Sequence, residues 1–196
     1  MNERFTHDEK RLLLALARRA LVEGVGGARL QPLDLESLPE TLRQHGASFV
    51  TLTSQGELRG CVGTLEAYQS LAEDVREHAL AAALNDYRFP PVRQEEVAGL
   101  EIEVSCLTPP RELEYETTDE LPSLLRPGVD GVILYDDLRR ATFLPQVWEK
   151  LPEPAQFLDH LCAKMGVEAN LWRYKKLRIL TYQVEEFHEG DYLNSK

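Results

Sequence analysis

Two segments with alternating apolar and polar residues are separated by a turn of only two residues. The first, GASFVTLTS, covers residues 46–54, and the second, ELRGCVG, covers residues 57–63. Gln55-Gly56 between them is typical of a tight turn, so we predict a β-hairpin. Because a hairpin joins its strands in antiparallel orientation, this pattern favours antiparallel sheet over regular βαβ units.

Helical and strand-like patterns follow one another along the rest of the chain. Thr6 and Glu9 have the spacing of a capping box, and apolar residues continue at helical spacing until Gly24. Further segments predict helices over 70–86 and 155–165, strands over 99–107 and in LRILTYQVEEF, an extended loop in YRFPPV, and a second hairpin across Asp136-Asp137. We therefore predict an α+β fold, a mostly antiparallel sheet flanked by helices.

Length and composition limit the class of protein. With 196 residues the chain can bury its own core, and we predict a single domain over residues 1–196, with a division into two sub-lobes as the alternative. A net charge of -11 disfavours nucleic-acid binding, which depends on phosphate neutralisation by Lys and Arg. No apolar run reaches the roughly 18 residues of a membrane span, and the N-terminus has no signal-peptide pattern. Three cysteines without metal-ligand spacing fit a reducing cytoplasm.

The strand ELRGCVG places Arg59 and Cys61 among glycines. Strand alternation puts these two side chains on one face, about 7 Å apart along the strand. A cation near a thiol lowers the thiol pKa, and the thiolate is the reactive form. Gly60 and Gly63 leave space in which a ligand can approach the backbone. One interpretation is a reactive or ligand-binding thiol; the alternative is a strand packed tightly against a helix, with Arg59 in a structural ion pair.

The remaining cysteines and the central strand give a clearer pattern. Cys106 alternates with apolar residues of its strand, and Cys162 lies with apolar residues on one face of its helix, so we predict that both are buried. Glu103 and Ser105 lie on the opposite, polar face of strand 99–107. This face is either a solvated surface or, if the strand lies near Cys61, the source of a carboxylate that orients an Arg or acts as a general base.

The histidines do not indicate a catalytic or metal-binding site. His78 lies near the buried side of its helix, so we predict a hydrogen-bonded core histidine. The five histidines share no ligand spacing such as HxH or HExxH, so no metal site is predicted from local sequence. The sequence does not identify a cofactor.

Five segments, in this order and at these separations, resemble the AMMECR domain family: LRGCVGTLE, NDYRFPPV, LEIEVSCLTPP, GVDGVILY and ATFLPQVWEK. The likeness covers essentially the whole chain, and the pairing of LRGCxG with a downstream DxRFPP is specific. The bacterial and archaeal branch is similar to protein A of the AmmeMemoRadiSam system, whose members accompany a Memo-type protein, related to extradiol dioxygenases, and a radical SAM protein. The resemblance implies an α+β fold with a larger lobe, a smaller lobe and a cleft between them. It does not supply a reaction.

The resemblance also implies a set of site residues. The family motifs fall on Leu58, Arg59, Gly60, Cys61 and Gly63; on Asp86, Arg88, Phe89, Pro90 and Pro91; on Glu103 and Ser105; and on Thr142, Phe143, Leu144 and Pro145. We interpret Cys61 as a nucleophile or thiol ligand, Arg59 as its activator and Glu103 as the orienting carboxylate. Substrate binding is assigned to Gly60, Gly63, Arg88, Phe89, Ser105 and Thr142.

Two functional hypotheses follow from these assignments. The first is an enzyme, or a component of an enzyme system, that binds a small anionic metabolite or a modified nucleoside. The second is a non-catalytic partner protein that binds the Memo-like or radical SAM component through a groove. RNA binding ranks last because the chain is acidic. Under the first hypothesis Arg59, Cys61 and Arg88 line one pocket, and Glu103 is close enough to pair with an Arg.

Overall fold

A computed structural model describes residues 4–193 of the chain. The fold is α+β with two antiparallel sheets, as predicted. In the described residues the helices are α1 (His7–Val25), α2 (Glu40–Arg43), α3 (Leu71–Leu84), α4 (Leu121–Leu124), α5 (Pro154–Met165) and α6 (Glu189–Leu193). The strands are β1 (His45–Ser54), β2 (Glu57–Gly63), β3 (Gln69–Ser70), β4 (Leu100–Leu107), β5 (Arg111–Glu112), β6 (Gly131–Asp136), β7 (Arg139–Phe143), β8 (Arg178–Tyr182) and β9 (Val184–His188).

The chain forms two compact units, each with its own sheet. The first unit runs to Leu107 and resumes at Glu185, and the second is Thr108–Val184. In the first sheet the strand order is β2-β1-β4-β9, with β3 also paired to β1; in the second it is β5-β8-β6-β7. Within the described part of the chain, none of the helices combines the length and the apolar character needed to cross a bilayer.

The predicted capping box begins α1. The Thr6 hydroxyl accepts a hydrogen bond from the Glu9 backbone N–H at 3.3 Å, and the Glu9 carboxylate accepts one from the Thr6 N–H at 2.8 Å. Because the first N–H groups of a helix have no partner inside it, this reciprocal pair fixes where the helix starts. The prediction from sequence is confirmed here.

The core of the first unit lies on one face of its sheet. Helices α1 and α3 bury Val50 and Leu52 of β1 together with Ile102 and Val104 of β4. Cys106 continues that apolar row and is buried, as predicted. Since strand side chains alternate between faces, the intervening residues of β1 and β4 lie on the opposite face of the sheet. That face carries most of the candidate functional residues.

A buried polar network crosses this core. The Ser48 hydroxyl donates to Asp74 Oδ2 at 2.6 Å, and His78 Nδ1 lies 3.1 Å from the same oxygen. All three residues are buried, and buried polar groups need such partners. The prediction that His78 is a hydrogen-bonded core histidine is confirmed.

The second unit has a separate core around α5. The helix begins with Pro154 and ends at Gly166, whose φ of 80° is the left-handed conformation that favours glycine. Trp148 stacks on Phe157 with ring centroids 3.7 Å apart, and Cys162 is fully buried beside them. The predicted helix over 155–165 and the predicted burial of Cys162 are both confirmed.

The predicted last strand, LRILTYQVEEF, is wrong as a single element. It is two strands, β8 and β9, which belong to different sheets. Gln183 separates them, and its carbonyl accepts from the Thr108 N–H while its N–H donates to the Thr108 hydroxyl, both at 2.9 Å. The alternation of apolar residues continues through this crossing, so periodicity alone does not mark it.

Gly60 lets β2 and α3 approach closely. A Cβ added at this position would lie 2.1 Å from the Ala82 carbonyl oxygen of α3, a distance that real Cβ atoms do not reach. The obstructing atom belongs to the helix backbone, so no side chain can move aside to make room. The tight strand–helix packing therefore requires glycine at position 60.

We predict that Gly60→Ala lowers the midpoint of urea unfolding, with a loss of about 1–3 kcal/mol, because the methyl group forces β2 away from α3. Gly99→Ala is the matched control, since a Cβ there has no neighbouring atom within 4 Å. The control is expected to stay within about 0.5 kcal/mol of the wild type. Equal midpoints for the two variants would contradict the close packing.

Candidate functional site

The central strand β1 aligns three polar residues across the sheet. Thr51 pairs with Cys61 of β2 on one side and with Glu103 of β4 on the other. Their neighbours in β1, Val50 and Leu52, are buried against the helices, so Thr51 lies on the opposite face. The hairpin and the β1–β4 register together place Cys61, Thr51 and Glu103 in one row.

Hydrogen bonds connect the three residues of this row. The Thr51 hydroxyl donates a hydrogen bond to Cys61 Sγ at 3.3 Å, and after rotation about its C–O bond the same proton is donated to the Glu103 carboxylate instead. A hydroxyl group rotates freely and both donates and accepts. Thr51 therefore links the partly buried Cys61 thiol to a carboxylate two strands away.

Glu103 lies in an environment that favours its protonated form. Partial burial raises its pKa, and the neighbouring charge of Glu186 raises it further. The Ser105 hydroxyl donates to Glu103 at 3.5 Å, and His188 Nδ1 lies 3.7 Å from its other oxygen. A carboxyl group with a raised pKa is suited to proton transfer near neutral pH.

The predicted pairing of Glu103 with an arginine is wrong. Among the described residues, its side-chain partners are Thr51, Ser105 and His188. Arg59 and Arg88 instead pair with carboxylates in the loop after α3. Glu103 lies on β4, two strands away from Cys61 on β2.

Asp86 fixes the Cys61 peptide and Arg88 in one arrangement. Its buried carboxylate accepts hydrogen bonds from the Cys61 N–H at 2.8 Å and from Arg88 Nε and Nη2 at 2.9 and 2.6 Å. Arg88 Nη2 also donates to the Cys61 carbonyl at 3.3 Å. The hydrogen bonds from Arg88 hold the pKa of Asp86 far below its usual range. Arg88 is therefore brought to the backbone of Cys61 in β2, and the prediction that Arg59, Cys61 and Arg88 line one pocket stays a prediction.

Arg59 has a different set of partners. Its Nε donates to Glu96 at 3.1 Å and its Nη1 to the Pro90 carbonyl at 2.9 Å, and its side chain is only 15% exposed. The backbone N–H of Arg93, followed by the Arg59 guanidinium, lowers the pKa of Glu96 to about 2. Arg59 thus makes the structural ion pair that the sequence left open as the alternative.

A β-bulge explains why Arg59 does not follow the predicted alternation. Gly60 pairs with Leu52, but Leu58 pairs with Thr53, so Arg59 is the extra residue between them. A bulge inserts one residue and shifts the alternation of faces. The expectation that Arg59 and Cys61 share a face by regular alternation therefore does not hold.

The glycines of the motif make room for the protein itself. The space beside Gly60 is filled by α3, and a Cβ at Gly63 would lie 2.4 Å from both the Phe49 ring and the Ser48 carbonyl. The expectation that these glycines leave space for a ligand is therefore corrected, because neighbouring protein atoms occupy that space.

Two further residues predicted to bind substrate, Phe89 and Thr142, lie in different units of the chain. Phe89 is partly buried, and the Arg88 guanidinium lies 5.5 Å from its ring centroid. Thr142 belongs to the second unit, where its hydroxyl donates to the Val132 carbonyl at 2.9 Å and contacts the Tyr182 hydroxyl at 3.1 Å. Phe89 is therefore placed with Arg88, whereas Thr142 is held within a different unit.

One group of side chains in the first unit has the composition of a metal site. Glu103, Glu186 and His188 each offer a ligand atom, and these atoms lie within 4.8 Å of one another. Carboxylate oxygen and imidazole nitrogen are ligands that several divalent cations accept. The group is also satisfied without an ion, because His188 pairs with both carboxylates. No local spacing reveals it, since β4 and β9 are distant in sequence.

Sequence reasoning missed three residues with direct contacts in the site. Glu96, which pairs with Arg59, lies in a loop without a motif. Asp86 belongs to a recognised motif, but its contact with the Cys61 N–H depends on tertiary packing. Thr51 was missed because the two-residue turn by itself predicts that it pairs with Gly60. The bulge at Arg59 shifts the register by one residue and places Thr51 opposite Cys61.

Comparisons with known proteins cover nearly the full chain. The sequence model of the AMMECR1 family matches residues 14–187. A protein of Methanothermobacter thermautotrophicus is 40% identical over 185 residues, which cover 94% of this chain and 96% of that protein. A protein of Methanopyrus kandleri is 34% identical, with coverage of 97% and 93%. The crystal structure of an uncharacterized protein from Pyrococcus horikoshii is similar with a TM-score of 0.81 and 32% identity, and the match covers 93% of this chain and 92% of that chain.

We predict that iodoacetamide alkylates Cys61 before Cys106 and Cys162 in the native protein. Cys61 is partly exposed, whereas the other two are buried and burial raises the pKa of both thiols. Peptide mass mapping after a short reaction measures the order. Equal protection of all three thiols would remove the accessible-thiol interpretation.

We predict that Asp86→Asn destabilises the protein by about 1–3 kcal/mol near neutral pH, because the Cys61 N–H and Arg88 lose a charged partner. The native pKa of Asp86 is lowered, so its carboxylate stabilises the fold above its unfolded pKa of about 4. That stabilisation is lost as pH falls towards the native pKa. The difference between wild type and variant in urea midpoint should therefore shrink below about pH 4.

Asp137→Asn is the control for this experiment. Its side chain is 91% exposed in a turn with φ of 51°, a conformation that Asn also tolerates. It should change the unfolding free energy by less than about 0.5 kcal/mol at any pH. A pH-independent loss in Asp86→Asn would show that lost packing, not lost charge, is the cause.

Proposed function

Because this chain belongs to the AMMECR1 family, we propose that its first unit binds a small anionic metabolite or a modified nucleoside at Cys61. It acts either as an enzyme or as one component of an enzyme system. The observation that supports this proposal most is the row of Cys61, Thr51 and Glu103, in which a partly buried thiol is linked by hydrogen bonds to a carboxyl group with a raised pKa.

The row provides a route for the thiol proton. When the Thr51 hydroxyl donates to Glu103, its oxygen is free to accept the proton of Cys61. Transfer along this route leaves a thiolate at Cys61 and a protonated Glu103. The raised pKa of Glu103 makes it a better proton acceptor than an ordinary carboxylate. Cys61 then serves as the nucleophile or thiol ligand, with Glu103 as the base.

Arg88 is the better candidate of the two arginines for contact with an anion. Its side chain is 44% exposed, and Asp86 engages only Nε and Nη2 of the guanidinium. A guanidinium that a buried carboxylate holds in place loses little conformational entropy when a ligand binds. Arg59 acts as a positioning residue that ties β2 to the loop around Pro90.

The proposal also includes two protein partners and a cellular location. The resemblance to protein A of the AmmeMemoRadiSam system supports a Memo-like protein and a radical SAM protein as partners. The three free cysteines support a reducing compartment, the cytoplasm.

A non-catalytic partner protein is the second candidate function, and exposed apolar side chains favour it. Tyr87, beside Arg88, is 96% exposed, and Leu58 on β2 is 42% exposed. Exposed aromatic and apolar residues close to a motif are typical of interaction surfaces. Under this alternative the chain binds the Memo-like or radical SAM component without contributing chemistry.

We predict that the purified full chain, incubated with a metabolite extract and washed, retains an anionic small molecule that mass spectrometry detects after denaturation. Cys61→Ser and Arg88→Gln should lose that molecule, because each removes a contact at the proposed site. Arg178→Gln is the matched control, since Arg178 pairs with Glu112 in the second unit. Cys61→Ser should keep a melting temperature close to that of the wild type, which separates lost binding from lost folding.

The same variants discriminate between the two functions. If all of them retain the same molecules as the wild type, the Cys61 site is not a ligand site. Binding of the purified Memo-like and radical SAM proteins then tests the alternative. Tyr87→Ala should weaken that binding and Cys61→Ser should not, if the chain is an adaptor.

A further inference from the structure

A cavity of about 470 Å³ lies wholly within the second unit, and the Cys61 site does not explain it. It is lined by Thr108, Pro109, Arg111, Arg126, Asp130, Thr181, Tyr182 and Gln183. Its volume is in the range of small-molecule sites. The motif GVDGVILY, which includes Asp130, has no role in the proposal for the first unit.

Two guanidinium groups line this cavity, and one of them is held by a buried carboxylate. Asp130 accepts hydrogen bonds from Arg126 Nε at 3.0 Å and Nη2 at 2.6 Å, and also from the Arg126 backbone N–H at 3.0 Å. Arg126 Nη1 has no partner among the described residues, and the side chain is 59% exposed. Asp130 thus fixes the guanidinium and leaves one of its edges available.

The second guanidinium, that of Arg111, has no side-chain partner in residues 4–193. Arg111 pairs with Thr181 through the β5–β8 backbone, but its side chain has no hydrogen-bond or ion-pair partner within the described chain. The Thr108 hydroxyl accepts from the Gln183 N–H, so its own proton remains available to a ligand. Arg111, Arg126 and Thr108 therefore supply hydrogen-bond donors to the lining of the cavity.

The charged residues of the lining favour an anionic ligand. Asp130 is the one carboxylate among the lining residues, and Arg126 neutralises it. Arg111 leaves a net positive charge in the lining of a cavity on a chain with a net charge of -11. Two guanidiniums with neighbouring hydroxyls match the oxygens of a phosphate or carboxylate group.

The position of the Tyr182 ring requires glycine at position 131, directly after Asp130. A Cβ at Gly131 would lie 2.4 Å from the Tyr182 ring, so only glycine allows the ring to lie against β6 at this position. The Tyr182 hydroxyl donates to the Phe143 carbonyl at 3.3 Å and contacts Thr142, which keeps the ring in the cavity wall. Asp130 and Gly131 of the motif therefore both shape the cavity.

We propose that this cavity is a binding site for a small oxyanion-bearing metabolite, whose phosphate or carboxylate group is held between Arg111 and Arg126. Thr108 and Thr181 add hydroxyl donors, and Asp130 is the positioning residue that orients Arg126. This proposal concerns residues of the second unit alone and does not depend on whether the first unit binds a ligand.

The experiment titrates the isotope-labelled full chain with inorganic phosphate and, separately, with malonate at constant ionic strength, while NMR follows the arginine side-chain resonances. We expect saturable shifts of Arg111 and Arg126, and the tighter of the two probes identifies the anion class. Arg111→Gln should weaken binding by about tenfold or more, the effect expected when a charged hydrogen-bond donor is lost. Arg111 makes no side-chain hydrogen bond or ion pair with residues 4–193, so the fold is expected to be retained.

Arg178→Gln is the control, because it removes the same charge from β8 at a residue that does not line the cavity. It should bind the probe as the wild type does. Equal weakening by the two variants would indicate general electrostatic attraction and would overturn the proposal. Non-saturable shifts, or no shift with either anion, would overturn it as well.

Discussion

The pairing of β1 on both of its edges is the constraint on which the first unit depends. One face of β1 is buried against α1 and α3, so its register with β2 and β4 is fixed by which residues must be apolar. A slip by one residue would expose Val50 and bury Thr51. The same register that stabilises the core therefore also aligns Cys61, Thr51 and Glu103 on the other face.

The arginines of the first unit are held in place by carboxylates. Asp86 binds Arg88 together with the Cys61 peptide, and Glu96 binds Arg59. Arg88 keeps part of its guanidinium exposed, whereas the Arg59 side chain is largely buried by its contacts with Glu96 and Pro90. The cavity of the second unit differs, because Arg111 has no side-chain partner in the part of the chain that the structure describes and Arg126 neutralises the single carboxylate of the lining.

Much of the local structure could be predicted from the sequence. The capping box at Thr6, the turn at Gln55-Gly56 and the end of α5 at Gly166 are read from residues close together in the chain. The burial of Cys106 and Cys162 follows from periodicity. Periodicity failed at Gln183, where the apolar alternation passes unbroken from one sheet to another, and at Arg59, where a bulge interrupts it.

The sequence by itself determined the α+β class, the family and the identity of the motif residues, because these depend on local patterns and on residue order. Only the tertiary structure decided which carboxylate meets which cation. Asp86 reaches the Cys61 N–H, and Glu103 meets Thr51 and His188 instead of an arginine. These contacts join residues far apart in the chain, so their geometry is set by how helices and strands pack. The glycines at 60 and 63 show the same division: their presence is read from the sequence, but the neighbouring atoms that require them are brought there by the fold.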